Sequence, residues 1–393
     1  MLERRESELR RRMGSELESL RKRSQLRVLD TSRGIDFSSN DYLGLASDPQ
    51  LKLAVLESVA RGEKVGASGS RLLSGNARAW EDLEMEFAGF AGSEAALYFG
   101  SGYAANVGLL SAILGPGDTA FSDALNHASL IDGIRLSGAH KFIYPHGDMD
   151  ALERGLRDRQ GAAGARVIVT ESVFSMEGDV APLGRLVRLA RDYEAELVVD
   201  EAHATGVWGP EGRGIVAEQG YEREVLAIVH TCGKALASAG GFVCSDLALK
   251  RYLVNRARTF IYSTALPPYL AGQIHAALGL ARNAHVERAA LAQAAQVLRA
   301  GFAGAGMNCG SSTTQIVPVL LGSNEAALQV AARLAASGFA VKAIRPPTVP
   351  ADRARIRLSL TSRIALEDIQ RLVGITVETV RSLEPPAAAG AHA

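Results

Sequence analysis

The chain has 393 residues, of which 47% are hydrophobic and 22% charged, so it can bury a large apolar core. Lysine plus arginine equals aspartate plus glutamate at 43 each, and this balance argues against a nucleic-acid or membrane-surface partner. The three cysteines include no C-x-x-C pair, which argues against a disulfide framework or a zinc knuckle. This cysteine usage fits a cytoplasmic protein.

The N-terminal segment, residues 1–45, is expected to contain a helix and a short strand. Residues 1–27 are rich in arginine, as import presequences are, but they also carry five glutamates and no apolar core. Opposite charges three and four residues apart favour a solvated helix. The strand is predicted in "IDFSSNDYLGLA". No run of about 18 apolar residues occurs, so no membrane span is expected.

Short apolar runs alternate with helical patterns between residues 46 and 280. The predicted strands are "AALYF" (95–99), "TAFS" (119–122), "KFIY" (141–144), "RVIVTE" (166–171), "ELVVD" (196–200) and "LAIVH" (226–230). Continuous apolar runs of this length are typical of parallel strands that are buried on both faces. The sequence therefore predicts a large α/β domain at 46–280, with a mostly parallel central sheet flanked by helices.

The remainder of the chain has a different pattern. Residues 281–301 are predicted to form one long helix. After it, the apolar runs "TQIVPVLL", "FAVKAI" and "ARIRLSL" alternate with a helical segment, "NEAALQVAARLAASG". We expect a smaller α+β domain at 281–385 and a disordered tail at 386–393.

Ligands of open parallel sheets bind at the carboxyl ends of the strands, so the polar segments after the strands should converge. The segment "GSGYAAN" (100–106) combines glycines with the start of a helix, an arrangement that is typical of phosphate binding. It also satisfies the loose pattern G-x-G-x-x-A, which leaves a nicotinamide-dependent dehydrogenase open as an alternative.

Two histidines and an aspartate follow other predicted strands. Asp200, in "VVDEAHATG", ends an apolar strand and needs a partner such as a protonated ring nitrogen. His203 could donate a hydrogen bond to an oxygen on the same ring, or the two residues could simply close a turn. A D-x-x-H pair has too few ligands for a catalytic zinc, and no metal is predicted. His127, in "LNHAS", could stack on an aromatic ligand or be structural.

Lys234 lies among small residues in "HTCGKALASAGG". A lysine in such a loop is commonly solvated, but a lysine in a tight pocket can be an amine nucleophile that forms a Schiff base with an aldehyde. A phosphate, a basic ring nitrogen, a ring oxygen and an aldehyde together describe pyridoxal 5′-phosphate. Thr231 could add a hydroxyl group to the phosphate site.

The chain resembles the α-oxoamine synthase family, which consists of fold-type I pyridoxal-phosphate enzymes. The resemblance covers residues 38–365, and its motifs are "SSNDYLGLA", "GASGSRLLSGN", "GSGYAAN", "LNHASLIDGIRLS", "DEAHATGVWG", "HTCGKALASAGG" and "YSTALPP". It implies a fold-type I transferase with acyltransferase activity, and it makes a non-catalytic cofactor-binding protein a weaker alternative.

The resemblance assigns roles to individual residues. It implies that Lys234 is the Schiff-base lysine, that Asp200 contacts the pyridine nitrogen, that His203 contacts the ring hydroxyl and that His127 stacks on the ring. It further implies phosphate contacts for Ser101, Gly102, Tyr103 and Thr231, a ring contact for Ser175, carboxylate contacts for Asn40 and Arg355, and an acyl-substrate contact for Arg21.

The motif "YSTALPP" carries an expectation about assembly. Ser263 and Thr264 match a segment that the family contributes from a second subunit. The resemblance therefore implies a homodimer with shared active sites.

The expected substrates depend on the C-terminal segment "AIRPPTVPADRARIRLSLT". It resembles the family members of biotin biosynthesis that condense L-alanine with a pimeloyl thioester, either pimeloyl-CoA or a carrier-protein thioester. The alternative is a glycine-using synthase, of the 2-amino-3-ketobutyrate CoA ligase or 5-aminolevulinate synthase type. Alanine and glycine differ by one methyl group, which is worth only ~1–3 kcal/mol of discrimination.

Overall fold

The computed structural model describes residues 7–31, 33–61 and 64–383. In chain order its strands are β1 (Ile35–Asp36), β2 (Ala95–Phe99), β3 (Thr119–Asp123), β4 (His140–Tyr144), β5 (Arg166–Glu171), β6 (Glu196–Asp200), β7 (Ala227–Thr231), β8 (Gly241–Ser245), β9 (Ile316–Gly322), β10 (Phe339–Ala340), β11 (Ala343–Ile344) and β12 (Ala354–Ser359). The predicted strands between residues 95 and 230 match β2 to β7 to within about one residue.

Seven of the strands form the central sheet, in the order β2-β8-β7-β6-β5-β3-β4. Strand β8 is antiparallel to both of its neighbours, whereas the other six run parallel to one another. The predicted mostly parallel α/β sheet is therefore confirmed. Strand β8 was not predicted, because its sequence, "GFVCS", has only three consecutive apolar residues and directly follows the glycine pair of the lysine loop.

The helices are α1 (Glu8–Lys22), α2 (Pro49–Ala60), α3 (Arg78–Ala91), α4 (Gly102–Ile113), α5 (Ala128–Ser137), α6 (Met149–Asp158), α7 (Leu183–Asp192), α8 (Ile215–Glu218), α9 (Leu247–Arg256), α10 (Arg258–Ile261), α11 (Tyr269–Asn283), α12 (His285–Gly304), α13 (Asn324–Ala336) and α14 (Leu366–Leu383). Short 3₁₀ turns occupy Leu45–Ser47 and Pro210–Gly212. Helices cover both faces of the central sheet, so successive residues of a strand enter different cores. On β5, for example, Val167 and Val169 pack into one core and Ile168 into the other.

The predicted single helix at 281–301 is divided by a break at Ala284. Its first residues belong to the end of α11, and the rest form α12. Ala284 has φ −77° and ψ 48°, which is not helical. The Arg288 guanidinium donates hydrogen bonds to the carbonyl oxygens of Ala281 and Arg282, at 2.5 and 3.1 Å. These contacts satisfy carbonyl groups that the end of a helix leaves free.

A second, antiparallel sheet contains β11, β12 and β9 in that order. Strand β1 pairs in parallel with β10 through Ile35–Phe339 and Asp36–Ala340. The strand of the proposed N-terminal segment therefore contacts the proposed C-terminal domain. The predicted disordered tail, 386–393, lies outside the described residues.

Candidate active site

A cavity of about 140 Å³ opens at the carboxyl ends of the central strands. The residues that line it are Gly102, Tyr103, Asn106, His127, Ser129, Glu171, Asp200, Ala202, His203, Thr231 and Lys234. They come from five different chain segments, which follow or end β2, β3, β5, β6 and β7. The convergence follows from the parallel strand directions, because the carboxyl ends of such strands lie at one edge of the sheet.

Lys234 follows β7, and its Nζ lies 2.7 Å from Nε2 of His203. Burial lowers the pKa of Lys234 to about 8, although the carboxyl groups of Asp200 and Glu171 oppose this shift. Burial, and then the charge of Lys234, lower the pKa of His203 well below its ordinary value. At neutral pH the imidazole is therefore neutral, and an appreciable fraction of the amine is free to act as a nucleophile or a base.

Asp200 ends β6 on the floor of the cavity. Its Oδ2 accepts a hydrogen bond from Nδ2 of Asn106 at 2.6 Å, and its Oδ1 accepts one from the backbone N–H of Ala202 at 2.7 Å. Each carboxylate oxygen has two lone pairs, so the group can accept a further proton donor from the cavity. This placement suits the predicted contact with a protonated ring nitrogen.

His127 lies at the N-terminus of α5, and its ring borders the cavity. Its Nδ1 lies 2.8 Å from the hydroxyl oxygen of Ser129, which in turn accepts a hydrogen bond from Asn106 at 2.9 Å. Burial lowers the pKa of His127. A neutral, oriented ring at this position suits stacking on a flat ligand, and the stacking role of His127 stays a prediction.

The N-terminus of α4 forms another wall of the cavity. Ser101 is its N-cap residue, and its hydroxyl group accepts a hydrogen bond from the N–H of Ala104 at 3.0 Å. A Cβ atom at Gly102 would lie 3.2 Å from the hydroxyl oxygen of Thr231, so glycine permits the close approach of the two segments. The exposed hydroxyl group of Tyr103 contacts Asp132. The helix start offers backbone N–H donors and a positive dipole end to an anion.

The two residues that were predicted to bind the substrate carboxylate, Asn40 and Arg355, take part in different contacts. Arg355 is only 2% exposed, and its guanidinium forms an ion pair with Glu177 at 2.9 Å. Asn40 instead contacts Arg357, whose Nη2 lies 3.2 Å from Asn40 Oδ1. Arg357 was not predicted as a site residue. The positive charge of Arg357 also contributes to the lowered pKa values of both His203 and Lys234.

Ser175 is buried but does not line the cavity. Its N–H donates to Oε2 of Glu171 at 3.2 Å, and its carbonyl oxygen accepts a hydrogen bond from Nε of Arg357 at 2.5 Å. In the described chain it therefore connects two residues of the site through its backbone.

Three predicted site residues lie away from this cavity. Ser263 and Thr264 are exposed and line a separate cavity of about 30 Å³ together with Arg71. Arg21 is exposed on α1 and forms an ion pair with Glu18 at 2.8 Å. None of the 15 residues of α1 is buried.

Sequence reasoning missed Asn106, Glu171 and Tyr42. The first two were detectable by position, since Glu171 ends β5 and Asn106 ends the segment "GSGYAAN" after β2. Glu171 is 3% exposed, and its Oε1 has no hydrogen-bond partner among the described residues. Tyr42 lies in the motif "SSNDYLGLA", which gave no indication that its hydroxyl group would lie 2.6 Å from Nδ1 of His203.

The cavity fits pyridoxal 5′-phosphate by the chemistry of its lining groups. It offers a lysine amine, a carboxylate with free lone pairs, a neutral imidazole and a helix N-terminus. The unpartnered oxygen of Glu171 is a further polar group that an occupant could satisfy. When bound, the cofactor supplies an aldehyde for the amine and a protonated ring that withdraws electrons from a carbon next to nitrogen.

Within 7–31, 33–61 and 64–383, no cluster of three or more histidine, cysteine or acidic side chains is arranged to hold a metal ion. In the same ranges no helix has the length and the apolar character that crossing a membrane requires.

Residues 32–375 match the family model of aminotransferase class I and II. The 8-amino-7-oxononanoate synthase of Burkholderia mallei (strain SAVP1) is 47% identical over 375 residues, which cover 90% of this chain and 93% of that protein. A serine palmitoyltransferase variant from S. paucimobilis, solved with a bound PLP–myriocin aldimine, superposes with a TM-score of 0.87 at 28% identity, covering 96% and 99% of the two chains. The 8-amino-7-oxononanoate synthase of Francisella tularensis gives a TM-score of 0.77 at 30% identity, with 89% and 98% covered.

These matches span nearly the whole chain, and they favour the pyridoxal-phosphate interpretation over a nicotinamide-dependent dehydrogenase. They agree with the cavity, where the lysine, the aspartate and the helix N-terminus lie together. The chain therefore belongs to the aminotransferase class I and II family and, within it, to the α-oxoamine synthases, which are pyridoxal-phosphate-dependent acyltransferases.

Proposed function

We propose that the protein condenses L-alanine with a pimeloyl thioester to give 8-amino-7-oxononanoate, a step of biotin biosynthesis. The new carbon–carbon bond joins the alanine Cα to the acyl carbon, the thiol leaves, and the alanine carboxyl group is released as carbon dioxide. The observation that carries this proposal is the 47% identity to a protein named 8-amino-7-oxononanoate synthase over 90% of the chain. The segment "AIRPPTVPADRARIRLSLT" supports the same substrates.

The lining residues suggest how the chain would act. Lys234 would hold the cofactor and then accept the alanine Cα proton, a role that a pKa of about 8 suits. Asp200 would keep the ring nitrogen protonated by opposite charge. Arg357, beside Asn40, would hold the substrate carboxylate, because a guanidinium can bind a carboxylate through two parallel hydrogen bonds.

The substrates are tested by assaying the purified protein with pyridoxal 5′-phosphate and pimeloyl-CoA. L-Alanine should give stoichiometric thiol and carbon dioxide release, together with a product of the mass of 8-amino-7-oxononanoate. Glycine and L-serine serve as competing amino acids, and acetyl-CoA as the competing thioester. A kcat/KM for glycine at least as high as that for L-alanine would move the assignment to a glycine-using synthase.

The role of Lys234 is tested separately by covalent capture of the cofactor. Borohydride reduction followed by mass spectrometry should place pyridoxal phosphate on Lys234 in the native protein. Lys234→Ala should lose both the adduct and turnover, whereas Lys52→Ala, which changes an exposed lysine of α2, should retain both. An adduct on another lysine would remove the proposed role.

We also propose that two copies share their active sites. Ser263 and Thr264 are exposed and lie away from the cavity of their own chain, so they are free to contact the cavity of a second copy. Co-expression of Lys234→Ala with a Ser263→Ala/Thr264→Ala chain tests the proposal, since each mixed dimer would contain one fully native site. Activity above that of either variant alone supports sharing, and a monomer in light scattering contradicts it.

A further inference from the structure

A chain of short hydrogen bonds leads from the cavity into the core behind it. Nζ of Lys234 lies 2.7 Å from Nε2 of His203, and Nδ1 of the same imidazole lies 2.6 Å from the hydroxyl oxygen of Tyr42. That hydroxyl oxygen lies 3.1 Å from Oδ1 of Asn40. Tyr42 is fully buried, at 0% exposure, and His203 is also buried. Solvent therefore cannot supply an alternative partner to the Tyr42 hydroxyl group.

The direction of these bonds follows from counting protons and lone pairs. The Tyr42 hydroxyl has one proton and two candidate acceptors, Oδ1 of Asn40 and Nδ1 of His203. Asn40 Oδ1 already accepts from Nη2 of Arg357 and from the Ser359 hydroxyl, both at 3.2 Å, which occupies its two lone pairs. The contact with the imidazole is also the shorter one, at 2.6 Å against 3.1 Å. Tyr42 therefore donates to Nδ1.

A neutral imidazole carries one proton, so an acceptor at Nδ1 places that proton on Nε2. The imidazole is kept neutral by burial and by the positive charges that face it, those of Lys234, Arg357 and His127 when protonated. The Nε2–H then faces Lys234 at the cavity wall and can donate to the lone pair of the uncharged amine, whereas the ammonium form, which dominates below the lysine pKa of about 8, offers no acceptor. The opposite tautomer would present a bare lone pair to the cavity.

We propose that Tyr42 is a positioning residue that fixes His203 as the Nε2–H tautomer, so that the histidine presents a hydrogen-bond donor to the cavity. This donor serves the ring oxygen of the cofactor once the lysine amine is engaged. Gln315 holds the same histidine from the other side, because its Nε2 donates to the His203 carbonyl oxygen at 2.8 Å. The proposal rests on the cofactor site and is independent of the acyl substrate.

The tautomer can be read directly by nitrogen NMR of the full-length protein labelled with ¹⁵N-histidine. The chain has eight histidines, and His203→Asn identifies the signal that belongs to His203. We expect the native protein loaded with pyridoxal 5′-phosphate, in which the lysine amine is engaged, to show a protonated Nε2 and an unprotonated Nδ1 at this residue. A protonated Nδ1 in the native protein would overturn the proposal without the need for any variant.

Tyr42→Phe removes only the hydroxyl group. We expect it to give a mixture of the two tautomers at His203 and to lower kcat about 10–100-fold, the range found when the partner that orients a metal-ligating histidine is lost. KM for the amino acid should change less than kcat, because Tyr42 contacts Asn40 through the longer of its two bonds, at 3.1 Å, and Arg357 keeps its own contacts with Asn40 and the Ser175 carbonyl group. Tyr144→Phe is the matched control, since it removes another buried hydroxyl group, one without a hydrogen-bond partner in the described chain.

An unchanged His203 tautomer and an unchanged kcat in Tyr42→Phe would contradict the proposal. Equal losses in Tyr42→Phe and Tyr144→Phe would also contradict it, because a general effect of removing a buried hydroxyl group would then suffice. The NMR result does not depend on which amino acid or thioester the enzyme uses. If the protein did not turn over L-alanine and a pimeloyl thioester, the NMR experiment would still test this inference.

Discussion

Glu171 and Asp200 are direct register partners on the neighbouring parallel strands β5 and β6, so two carboxyl groups lie side by side on the floor of the cavity. Asp200 has two described hydrogen-bond donors, Asn106 and Ala202. Glu171 accepts one bond, from the Ser175 N–H, through Oε2. Burial first, and then the charge of Asp200, raise the pKa of Glu171 well above its ordinary value. The site therefore favours the neutral form of Glu171.

Replacement of Glu171 by glutamine should preserve the site. The amide is neutral and has the shape of the neutral acid that the site favours, and its oxygen can still accept from the Ser175 N–H. We expect kcat and the affinity for pyridoxal 5′-phosphate to stay within a few-fold of the native values at neutral pH. Glu171→Leu is the contrasting variant, and leaving that N–H unpaired should cost about 1–3 kcal/mol of stability.

Glu171→Gln should also change how the free energy of unfolding depends on pH. A raised folded-state pKa means that the folded state binds more protons than the unfolded state above the unfolded pKa of about 4.3. The contribution of Glu171 to stability therefore falls as pH rises above that value. Glu171→Gln removes this loss, so its stability relative to the native protein should increase from pH 4 to pH 7 in denaturant titrations. A difference that is constant with pH would show that folding does not raise the pKa of Glu171.

The two arginines of β12 should respond differently to substitution by lysine. No carboxylate of the described residues lies within 4 Å of the Arg357 side chain, whose neighbours include Asn40 and the Ser175 carbonyl group. Arg357→Lys removes the planar pair of donors, and we expect KM for the amino acid to rise about tenfold or more. Steady-state kinetics with varied amino acid at saturating thioester measures this effect.

Arg355→Lys is the matched variant on the same strand. Its guanidinium is paired with Glu177 and is almost fully buried, so we expect a loss of stability with a smaller change in KM. Glu177→Gln should destabilise in the same way, because it leaves the Arg355 charge unpaired. If Arg355→Lys raised KM more than Arg357→Lys did, the carboxylate site would belong to Arg355, as the sequence resemblance implies.

The two arginines of β12 illustrate which features of the site could be predicted from the sequence and which could not. Lys234, Asp200, His203 and His127 could be placed together because each follows a recognisable apolar strand, and parallel strands end at one edge. The choice between Arg355 and Arg357 could not be made in that way, since residues two apart lie on the same side of a strand. It depends on which side chain meets Glu177 from the loop after β5, and such a contact between segments nearly 180 residues apart leaves no local pattern.

Other omissions have similar physical causes. Strand β8 is short, and its antiparallel pairing with β2 and β7 depends on tertiary packing rather than on periodicity. Tyr42 lies 161 residues from His203 in the sequence, so no local pattern indicates the contact of its hydroxyl group. The break at Ala284 depends on a cap that Arg288 provides from the next helix, in a sequence whose alanine content favours an unbroken helix.

His146 bridges two carboxylates close to the candidate site. Its Nδ1 lies 2.9 Å from Asp123 Oδ1, and its Nε2 lies 2.9 Å from Asp179 Oδ2. Burial opposes the charged form, but the hydrogen bonds to the two aspartates outweigh it and raise the pKa of His146 to about 10. The imidazole is therefore doubly protonated at neutral pH and donates from both nitrogens. Its two hydrogen bonds connect Asp123, at the end of β3, with Asp179, in the loop that also carries Ser175.

The raised pKa sets the direction of the pH effect. The stabilisation by His146 is fully present below its unfolded pKa of about 6.5 and is lost as pH rises through the folded value of about 10. His146→Gln should therefore cost about 1.5–3 kcal/mol or more at pH 6, the typical worth of a hydrogen bond to a charged group, and progressively less towards pH 10. Chemical denaturation of the native protein and the variant at both pH values measures the difference.

His275→Gln is the control for this experiment, because His275 is 69% exposed and contacts a single carboxylate, that of Glu86. Its substitution should change stability by no more than about 1 kcal/mol at either pH, since exposed ion pairs contribute little. If His146→Gln destabilised the protein equally at pH 6 and pH 10, its imidazole would be acting as a neutral packing group. If His146→Gln destabilised the protein more at pH 10 than at pH 6, the pH effect would have the opposite sign to the one expected. That result would exclude a charged imidazole between Asp123 and Asp179.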